Sequence, residues 1–470
     1  MVVVFVLAAL LVVGVLVTAN WYVWRRLFRD TTRAPGPVRR IGAAVIAGGW
    51  VLTVGALVAE RAGAPFWLQR VLAWPGFLWL ALSLYLLLAV LAGEIVRPLL
   101  RRYLERRAAA RQAEPQPSVS PAADPERIPA GTAPPKTSHT PDAPSTPDAP
   151  DTPKTRDTPS LGDTPSSGDT PFSGDTPSSG DTPSPGNDAP QTSLALPSRR
   201  LFVSRVVAGT AAAAAVGTVG YGTYGVLSGP KVKRVTVPLA KLPRAAHGFR
   251  IAVVSDIHLG PVLGRSFAQQ VVDTVNATQP DLIAVVGDLV DGSVKDLGPA
   301  AAPLAQLKAR HGAYFVTGNH EYFSGAEQWV AEVRRLGLLP LENARTELPH
   351  FDLAGVNDVA GEEEGQGPDY AKALGDRDRS RACVLLAHQP VQIHDAVDHG
   401  VDLQLSGHTH GGQLWPGNLI AGAANPTLAG LDRYGDTQLY VSRGAGAWGP
   451  PTRVGAPSDI TVIELASRKA

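Results

Sequence analysis

The sequence predicts an α/β domain in its second half, preceded by membrane-spanning helices and a disordered linker. Three apolar segments fall within residues 1–111, which predicts a membrane region with three transmembrane helices. Residues 112–197 are rich in Pro, Ser, Thr, Asp and Gly. From about residue 248, short apolar runs alternate with helical stretches, the pattern of a sheet covered by helices on both faces.

Length, charge and cysteine content limit the possible classes of protein. The 470 residues are too many for one ordinary domain. A formal net charge of +1 argues against a globally basic nucleic-acid binder, so we expect no nucleic-acid partner. The single cysteine, Cys383, excludes an internal disulfide and a thiolate metal cluster.

The three apolar segments are residues 2–19, 41–59 and 72–96. About 20 apolar residues are needed to cross the hydrocarbon core as a helix. The alternative interpretation is that these segments are buried core helices of a soluble domain. Glu94 falls at the end of the third segment, where we expect the membrane interface.

The arginines predict the orientation of these helices. The loop between the second and third segments carries only Arg61 and Arg70, whereas both other flanking segments are rich in arginine. The rich segments contain Arg25, Arg26, Arg29, Arg33, Arg39 and Arg40, and Arg97, Arg101, Arg102, Arg106, Arg107 and Arg111. By the positive-inside rule they are cytoplasmic, which makes the chain a multi-pass protein of the cell membrane with its N-terminus outside.

Residues 112–197 contain a strict repeat. "DTP" recurs every six residues at Asp157, Asp163, Asp169, Asp175 and Asp181. So short a unit cannot bury enough apolar surface to offset chain entropy, which predicts a disordered linker. We interpret it as a passive spacer, with phosphorylation at Thr-Pro as the alternative.

Residues 198–229 allow two interpretations. Arg199 and Arg200, followed by Leu201, Phe202 and a weakly apolar stretch, resemble a twin-arginine signal, with the twin-arginine export machinery as a partner. The alternative is a fourth membrane helix with a basic flank. Both interpretations place the rest of the chain outside the cell.

The predicted strands of the second half each end in polar residues. They lie within 249–258, 281–292, 313–322, 350–358, 382–390, 401–412 and 439–446. Helical stretches at 266–277 and 325–336 separate some of them. The carboxyl ends of strands in an open α/β sheet lie along one edge, which is where ligands bind. We therefore expect eight side chains to converge there: Asp256, His258, Asp288, Asn319, His320, His388, His408 and His410.

The types of these side chains indicate a metal site. Imidazoles and carboxylates without sulfur suit Mn, Fe, Zn, Co or Ni. They exceed what one ion needs, so two divalent ions sharing a carboxylate are the economical arrangement. Two such ions roughly 3.5–4 Å apart acidify a shared water and stabilise in-line displacement at phosphorus. Glycines around His408 and His410 would allow backbone and substrate to approach closely.

The order D-x-H, G-D-x-x-D, G-N-H-E, H, G-H-x-H resembles the calcineurin-like metallophosphoesterases. "GNHEY" and "SGHTHGGQ" are most similar to the bacterial membrane-associated, twin-arginine-type branch of that family. The resemblance covers 247–470 and implies a metallophosphoesterase domain built as a four-layer α/β sandwich.

The resemblance also implies a role for each matching residue. One ion would be held by Asp256, His258 and His410, and the other by Asn319, His388 and His408. Asp288 would bridge the two ions. His320 would be the catalytic residue beside the phosphate, stabilising the transition state or protonating the leaving oxygen. The spacing alone leaves open which ion each histidine binds.

Other residues are candidates for supporting roles. Asp291 and Glu321 resemble groups that orient imidazoles, with a plain turn role as the alternative for Asp291. Arg265, Arg443 and Arg453 are candidates for binding substrate phosphate, because a guanidinium fork suits phosphate oxygens. Trp415 and Trp448 could stack on a base, lie against lipid, or simply pack.

The predicted function is therefore a membrane-anchored, extracytoplasmic phosphoesterase with two divalent ions (Mn, Fe or Zn). Mn is favoured because a domain exported folded would take up its metal in the cytoplasm. The predicted substrate is a phosphorylated small molecule or lipid, cleaved at a phosphodiester or pyrophosphate bond. The alternatives are a sensor that binds a phosphorylated ligand without turnover, and a membrane scaffold with a vestigial domain.

Overall fold

The computed structural model describes residues 2–112 and 199–468. The predicted linker with its repeats therefore lies outside the described residues, apart from Gln112 at the end of a helix. Four long apolar helices are described: α1 (Val2–Trp24), α2 (Pro37–Arg61), α3 (Phe66–Gln112) and α4 (Arg199–Leu227). By length and composition, Pro37–Arg61, Phe66–Ala110 and Arg199–Leu227 could each cross a membrane.

Small residues let α2 and α3 pack closely. A β-carbon on Gly76 would lie 2.6 Å from the carbonyl oxygen of Leu52, and the Thr53 hydroxyl donates to the Gly76 carbonyl at 2.8 Å. Close approach at small residues is typical of helices that associate in membranes. Glu94 accepts a hydrogen bond from Arg26 at 2.8 Å, so the one acidic residue of the third apolar segment is paired.

The second half contains two mixed six-stranded sheets. The first sheet has the order β1-β12-β2-β3-β4-β5, and the second has the order β10-β11-β9-β8-β7-β6. The strands are β1 (Lys231–Leu239), β2 (Phe249–Val254), β3 (Leu282–Val286), β4 (Ala313–Val316), β5 (Leu339–Pro340), β6 (Ala344–Glu347), β7 (Phe351–Gly355), β8 (Ala382–Leu386), β9 (Leu403–Ser406), β10 (Gly430–Tyr434), β11 (Thr437–Val441) and β12 (Asp459–Ser467).

Seven further helices connect these strands. They are α5 (Arg265–Ala277), α6 (Val294–Ala301), α7 (Asn319–Ser324), α8 (Ala326–Arg335), α9 (Tyr370–Leu374), α10 (Ile393–Asp398) and α11 (Gly417–Ala424). Buried residues of α5, α6 and α8 form one core cluster with the first sheet, and those of α9 and α10 form another with the second sheet. A third cluster fills the space between the sheets. The domain is thus a four-layer α/β sandwich, as predicted.

The alternation of side chains along β2 shows how the sequence builds these layers. Ile251 and Val253 belong to the cluster between the sheets, whereas Ala252 and Val254 belong to the cluster under the helices. Successive side chains of a strand point to opposite faces, so a strand buried on both faces must be apolar throughout. The apolar runs used to predict the strands have this origin.

The sheet also includes a segment ahead of the resemblance. β1 pairs in parallel with β12, with Lys231 opposite Asp459, so the first sheet begins before residue 247. Its burial alternates and its outer face is exposed, as expected of an edge strand. Only three residues separate the end of α4 from β1, which joins that helix directly to the sheet.

Candidate metal centre

All eight predicted site residues lie just beyond the carboxyl ends of five strands, six of them in loops and two, Asn319 and His320, at the start of α7. Asp256 and His258 follow β2, Asp288 follows β3, and Asn319 and His320 follow β4. From the second sheet, His388 follows β8 and the two remaining histidines, His408 and His410, follow β9. The structure brings them together in sets whose ligand atoms lie within 4.8 Å of one another: Asp256, His258 and His410; Asp288, His388 and His408; and His258, Asp291 and His320.

Asp288 belongs to the second set, and its carboxylate also faces His258 of the first set. Its Oδ2 lies 3.1 Å from Nε2 of His388 and 3.7 Å from Nε2 of His258. Its Oδ1 accepts the backbone N–H of His320 at 3.0 Å, which fixes the carboxylate. This is the position that a carboxylate shared by two cations requires.

The surroundings of His388 suit a cation. Its Nδ1 lies 2.9 Å from the Val286 carbonyl oxygen, which can only accept, so Nδ1 carries a proton. In the neutral ring, Nε2 then directs a lone pair at the Asp288 carboxylate from a buried position where it has no hydrogen-bond partner. Burial lowers the pKa of His388, but the charge of Asp288 raises it well above its ordinary value. A proton or a metal ion must therefore lie between the two groups.

The ligand atoms of Asp256, His258 and His410 also lie close together. Nε2 of His410 lies 3.0 Å from Nε2 of His258 and 3.4 Å from Oδ1 of Asp256. Arg453 donates to the opposite nitrogen of His410, Nδ1, at 2.9 Å. Because arginine can only donate, neutral His410 carries its proton on Nε2 in this arrangement. Burial and the charge of Arg453 hold the pKa of His410 well below its usual range.

His408 and Asn319 contribute an imidazole and a neutral oxygen. Nδ1 of His408 lies 3.0 Å from Oδ1 of Asn319, and the backbone N–H of His408 donates to Asp256 at 3.0 Å. Burial and the charge of His388 lower the pKa of His408 to about 4. His408 is therefore uncharged at neutral pH, as a metal ligand must be.

Five of the candidate ligands have left-handed backbone conformations. Their φ angles are 52° at Asp256, 49° at His258, 53° at Asp288, 72° at His408 and 51° at His410. Non-glycine residues seldom adopt such angles, and those that do concentrate at functional sites. In the described part of the chain, five of the eight non-glycine residues with positive φ are thus candidate ligands.

Two glycines provide the room that these ligands need. Gly287 has a φ of 72°, and a β-carbon there would lie 2.5 Å from Nδ1 of His388. A β-carbon on Gly407 would overlap the side chains of Ser255 and Asp256. Gly407, one of the glycines predicted to permit close approach, therefore does so between the protein's own loops.

Asp291 orients two imidazoles. Its Oδ1 lies 2.8 Å from Nδ1 of His258 and 2.7 Å from Nδ1 of His320. Burial would raise the pKa of Asp291, but the two histidines lower it to about 2. Burial would lower the pKa of His320, but its hydrogen bond to Asp291 and the charges of Asp288 and Asp291 raise it to about 9. His320 is therefore protonated at neutral pH in this arrangement.

Glu321 differs from its predicted role. Its carboxylate accepts the backbone N–H groups of Gly318, Asp288 and Leu289 at 2.6, 3.0 and 2.8 Å. It therefore ties the loop after β3 to the start of α7 instead of orienting an imidazole. Burial and the charge of Asp288 raise the pKa of Glu321 to about 7.

The three candidate phosphate-binding arginines lie in different surroundings. Arg453 is buried and donates to the carbonyl oxygens of Gly446, His410 and Ala456 as well as to the His410 ring. Its donors thus support the centre from behind His410. Arg265 is exposed at the start of α5 and donates to Pro299. Arg443 is half-buried beside Gly411, with Nη1 4.0 Å from Asp459.

Two exposed aromatic side chains flank His320. The ring centroid of His320 lies 5.5 Å from that of Phe323 and 5.7 Å from that of Trp448. Phe323 is 73% exposed and Trp448 is 53% exposed. Gln413 accepts from the Trp448 backbone N–H at 3.0 Å and donates to its carbonyl at 2.8 Å, which holds this loop beside the histidines. The sequence did not reveal the role of Phe323, because exposure cannot be read from residue type, or that of Gln413, because its partner Trp448 lies 35 residues away in the chain.

The loops around the centre contact the apolar helices. Leu414 and Val454 pack against a cluster that includes Ala81, Tyr85 and Val219. The Tyr85 hydroxyl donates to the Trp415 carbonyl oxygen at 2.9 Å. The centre is therefore attached to α3 and α4 through the segments that follow His410.

Comparison with known proteins places this site in a family. Residues 249–412 match the family model of calcineurin-like phosphoesterases. An uncharacterized metallophosphoesterase of Helicobacter pylori is 38% identical over 57% of this chain and 73% of its own length. An uncharacterized metallophosphoesterase of Aquifex aeolicus is 33% identical over 51% of this chain and 92% of its own. The chain belongs to the calcineurin-like phosphoesterase family.

The name of a third relative refers to a transmembrane protein. A Danio rerio protein described as a transmembrane protein with a metallophosphoesterase domain is 39% identical over 52% of this chain. The chain spans 59% of that protein's length. Together with the three helices among the described residues that are long and apolar enough to span a bilayer, this relative indicates membrane association for the present phosphoesterase. All eight predicted site residues fall within the family match, whereas Arg443, Trp448 and Arg453 lie beyond it.

Proposed function

We propose that this chain is a membrane-anchored phosphoesterase that binds two divalent ions and hydrolyses phosphodiester or pyrophosphate bonds of amphipathic, lipid-linked substrates. The observation that carries the proposal is the Asp288 carboxylate, which stands between the imidazoles of His258 and His388. A carboxylate shared by two sets of donors is what a pair of cations needs.

The ligand sets follow the geometry. Asp256, His258 and His410 would hold one ion, Asn319, His388 and His408 the other, and Asp288 both. The convergence of Asp256 with His258 and His410, and of Asp288 with His388 and His408, supports this assignment, as does the position of Asn319 beside His408. When bound, such ions polarise a phosphoryl oxygen and lower the pKa of water. The protein fixes the donors through strained loops and buried hydrogen bonds, so little reorganisation is needed when substrate arrives.

His320 would supply the proton for the leaving oxygen. Its side chain is 15% exposed, whereas that of His258 is fully buried, so His320 is the accessible imidazole of the pair that Asp291 holds. The carboxylate keeps the ring protonated and fixed. The same charge would also stabilise negative charge that develops on the phosphoryl group.

The two exposed aromatic side chains beside His320 favour a substrate with an apolar part. Phe323 and Trp448 flank His320, so the group leaving from phosphorus would pass between apolar rings. Trp415, Leu419 and Ile420, in the segment that follows His410, are also 52%, 68% and 78% exposed. Apolar surface of this kind beside candidate membrane helices favours a lipid partner. The arginine distribution favours a domain that lies outside the cell.

Metal identity follows from the proposed route of export. A domain that crosses the membrane folded through the twin-arginine machinery would take up Mn or Fe in the cytoplasm, away from the tighter-binding Zn. Metal analysis of protein purified from its own membrane is expected to find Mn or Fe. Stoichiometric Zn alone would contradict this route.

The test uses the full chain in detergent, loaded with Mn, and an aryl phosphodiester. Wild type should hydrolyse it in a metal-dependent manner. His320→Ala should lose turnover by at least about 100-fold, as expected for a general acid, and keep both ions. His394→Ala, which changes an exposed histidine outside the centre, should behave as wild type.

Two outcomes would separate this function from its alternatives. Metal and phosphate-ester binding without turnover would favour a sensor module. Failure of the wild-type chain to bind metal would favour a scaffold with a vestigial domain. The preference for a lipid-linked substrate is tested by Trp448→Ala, which should raise KM for a long-chain phosphodiester by a larger factor than KM for the aryl diester.

A further inference from the structure

Helix α4 contacts the loop that supports the metal centre. The carbonyl oxygen of Gly222 accepts the backbone N–H of Arg453 at 3.3 Å, and the hydroxyls of Thr223 and Thr452 are 2.7 Å apart. A β-carbon on Gly222 would lie 2.6 Å from the Arg453 carbonyl oxygen and 2.8 Å from the Thr452 methyl group. This glycine therefore permits a backbone-to-backbone contact that a larger residue would block.

The loop that contacts α4 also contacts a candidate metal ligand, His410. Arg453 extends from the same loop to His410 and donates to its ring nitrogen Nδ1 at 2.9 Å and to its carbonyl oxygen at 3.1 Å. Further bonds to Gly446 and Ala456 fix the guanidinium in its buried position. The orientation of the His410 ring thus depends on where the Arg453 backbone sits.

Helix α4 is also built into the domain beyond this contact. Val226 is fully buried in the cluster formed by the first sheet and its helices. The chain then enters β1, which is paired along its whole length with β12. Removal of α4 would expose this part of the core and the Thr452–Arg453 loop together.

We propose that α4 is a permanent positioning element of the metal centre, whose surface at Gly222 seats the Thr452–Arg453 loop so that Arg453 holds His410 as a ligand. This rests on the proposed two-ion function. It follows that residues 199–227 stay attached to the mature domain and are not removed as a signal segment.

The test compares two glycine substitutions in the same helix, in the full chain purified in detergent. Gly222→Ala introduces the clash, whereas a β-carbon on Gly225 would have nothing within 4 Å. Alanine is favoured over glycine in a helix at both positions, so the contact is the difference between the variants. Intact mass of wild type should show that α4 is retained, and Mn content and affinity are measured for each chain.

We expect Gly222→Ala to bind the ion held by His410 about 10–100-fold more weakly, as for other groups that orient a ligand. At limiting Mn it should hold one ion, and the electron paramagnetic resonance signal of a coupled Mn pair should be replaced by that of isolated Mn. Gly225→Ala should retain the pair. Arg453→Lys, which leaves the α4 contact in place, should lose the same ion.

The outcomes distinguish this inference from the function on which it rests. A wild type with two ions, together with a Gly222→Ala variant of equal affinity, would overturn the positioning role and leave the phosphoesterase intact. Mature protein that begins after residue 229 would do the same. A wild type that does not bind two ions would overturn the proposed function itself.

Discussion

The two sheets contribute different chemistry to the centre. Segments that follow strands of the first sheet supply both carboxylates, the amide and two imidazoles, from Asp256, Asp288, Asn319, His258 and His320. Loops of the second sheet supply imidazoles alone, from His388, His408 and His410. The negative charge that attracts cations thus belongs to one sheet, and the other completes the coordination with neutral donors.

This difference makes the centre a product of sheet packing. Each proposed ion needs donors from both sheets, because His410 joins Asp256 and His258, whereas Asn319 joins His388 and His408. The buried cluster between the sheets, with Ile251 of β2 and Leu403 of β9, sets their separation. Neither sheet by itself could hold either ion.

The strongest way to break the arrangement is to neutralise the shared acid of the first sheet. Asp288→Asn should weaken both ions and lower kcat/KM by about 1,000-fold or more, since each 1.36 kcal/mol is tenfold and the ions supply several kcal/mol. Kinetics and metal analysis would measure this. Asp436→Asn, a change at a fully exposed acid, is the control. Activity within tenfold of wild type, with two ions bound, would contradict the bridging role.

Removal of one imidazole from each sheet should separate the two ions. Changes to groups that only orient a ligand already cost 10–100-fold, so His258→Ala and His388→Ala should each cost at least about 100-fold in activity. Each variant should keep one ion at limiting metal, and the double variant none. Loss of the same ion in both variants, judged by their spectra, would count against the assignment.

Removal of the metal should loosen the contact between the sheets. An ion present at 100 times its dissociation constant stabilises the folded state by about 2.7 kcal/mol, so chelation should lower the free energy of unfolding by about this amount for each ion. Thermal unfolding with and without a chelator measures the change. The Asp288→Asn variant should show little response to the chelator, and an equal response would exclude the shared site as its source.

The smallest effect is expected when only first-sheet imidazoles are disturbed. Asp291→Asn should lower kcat/KM about 10–100-fold while the ion held by His388 remains. Without the carboxylate that raises it to about 9, the pKa of His320 should fall. His320 acts when protonated, so activity is lost as pH rises through this pKa, and the alkaline limit should move to lower pH. A pH profile unchanged from wild type would argue against His320 as the acid.

The core strands and the candidate ligands were predictable because both follow from local pattern. Strands β2, β3 and β8 are buried on both faces, so they appear in the sequence as continuous apolar runs, and polar residues directly after them mark the functional edge. The edge strand β1 was missed because its alternating "KVKRVTVPL" has charges on an exposed face. Glu321 was assigned to an imidazole because sequence separation does not show which donor a carboxylate meets.

The surroundings of the centre could not be predicted in the same way. Arg453 was a candidate for phosphate binding, and nothing in its neighbours indicates that its guanidinium is buried behind His410. Phe323 follows the "GNHEY" motif directly, yet its exposure beside His320 depends on how α7 meets the loop of Trp448.

The sequence by itself determined the strand-and-loop order, the donor types and the apolar helices, because burial and side-chain chemistry act through periodicity and composition. Only the tertiary structure decided that Asp288 falls between two imidazoles, that Asp291 serves His258 and His320 together, and that α4 touches the loop of Arg453. These contacts join residues far apart in the chain. Their geometry is set by the packing of two sheets and a helix, which no local pattern encodes.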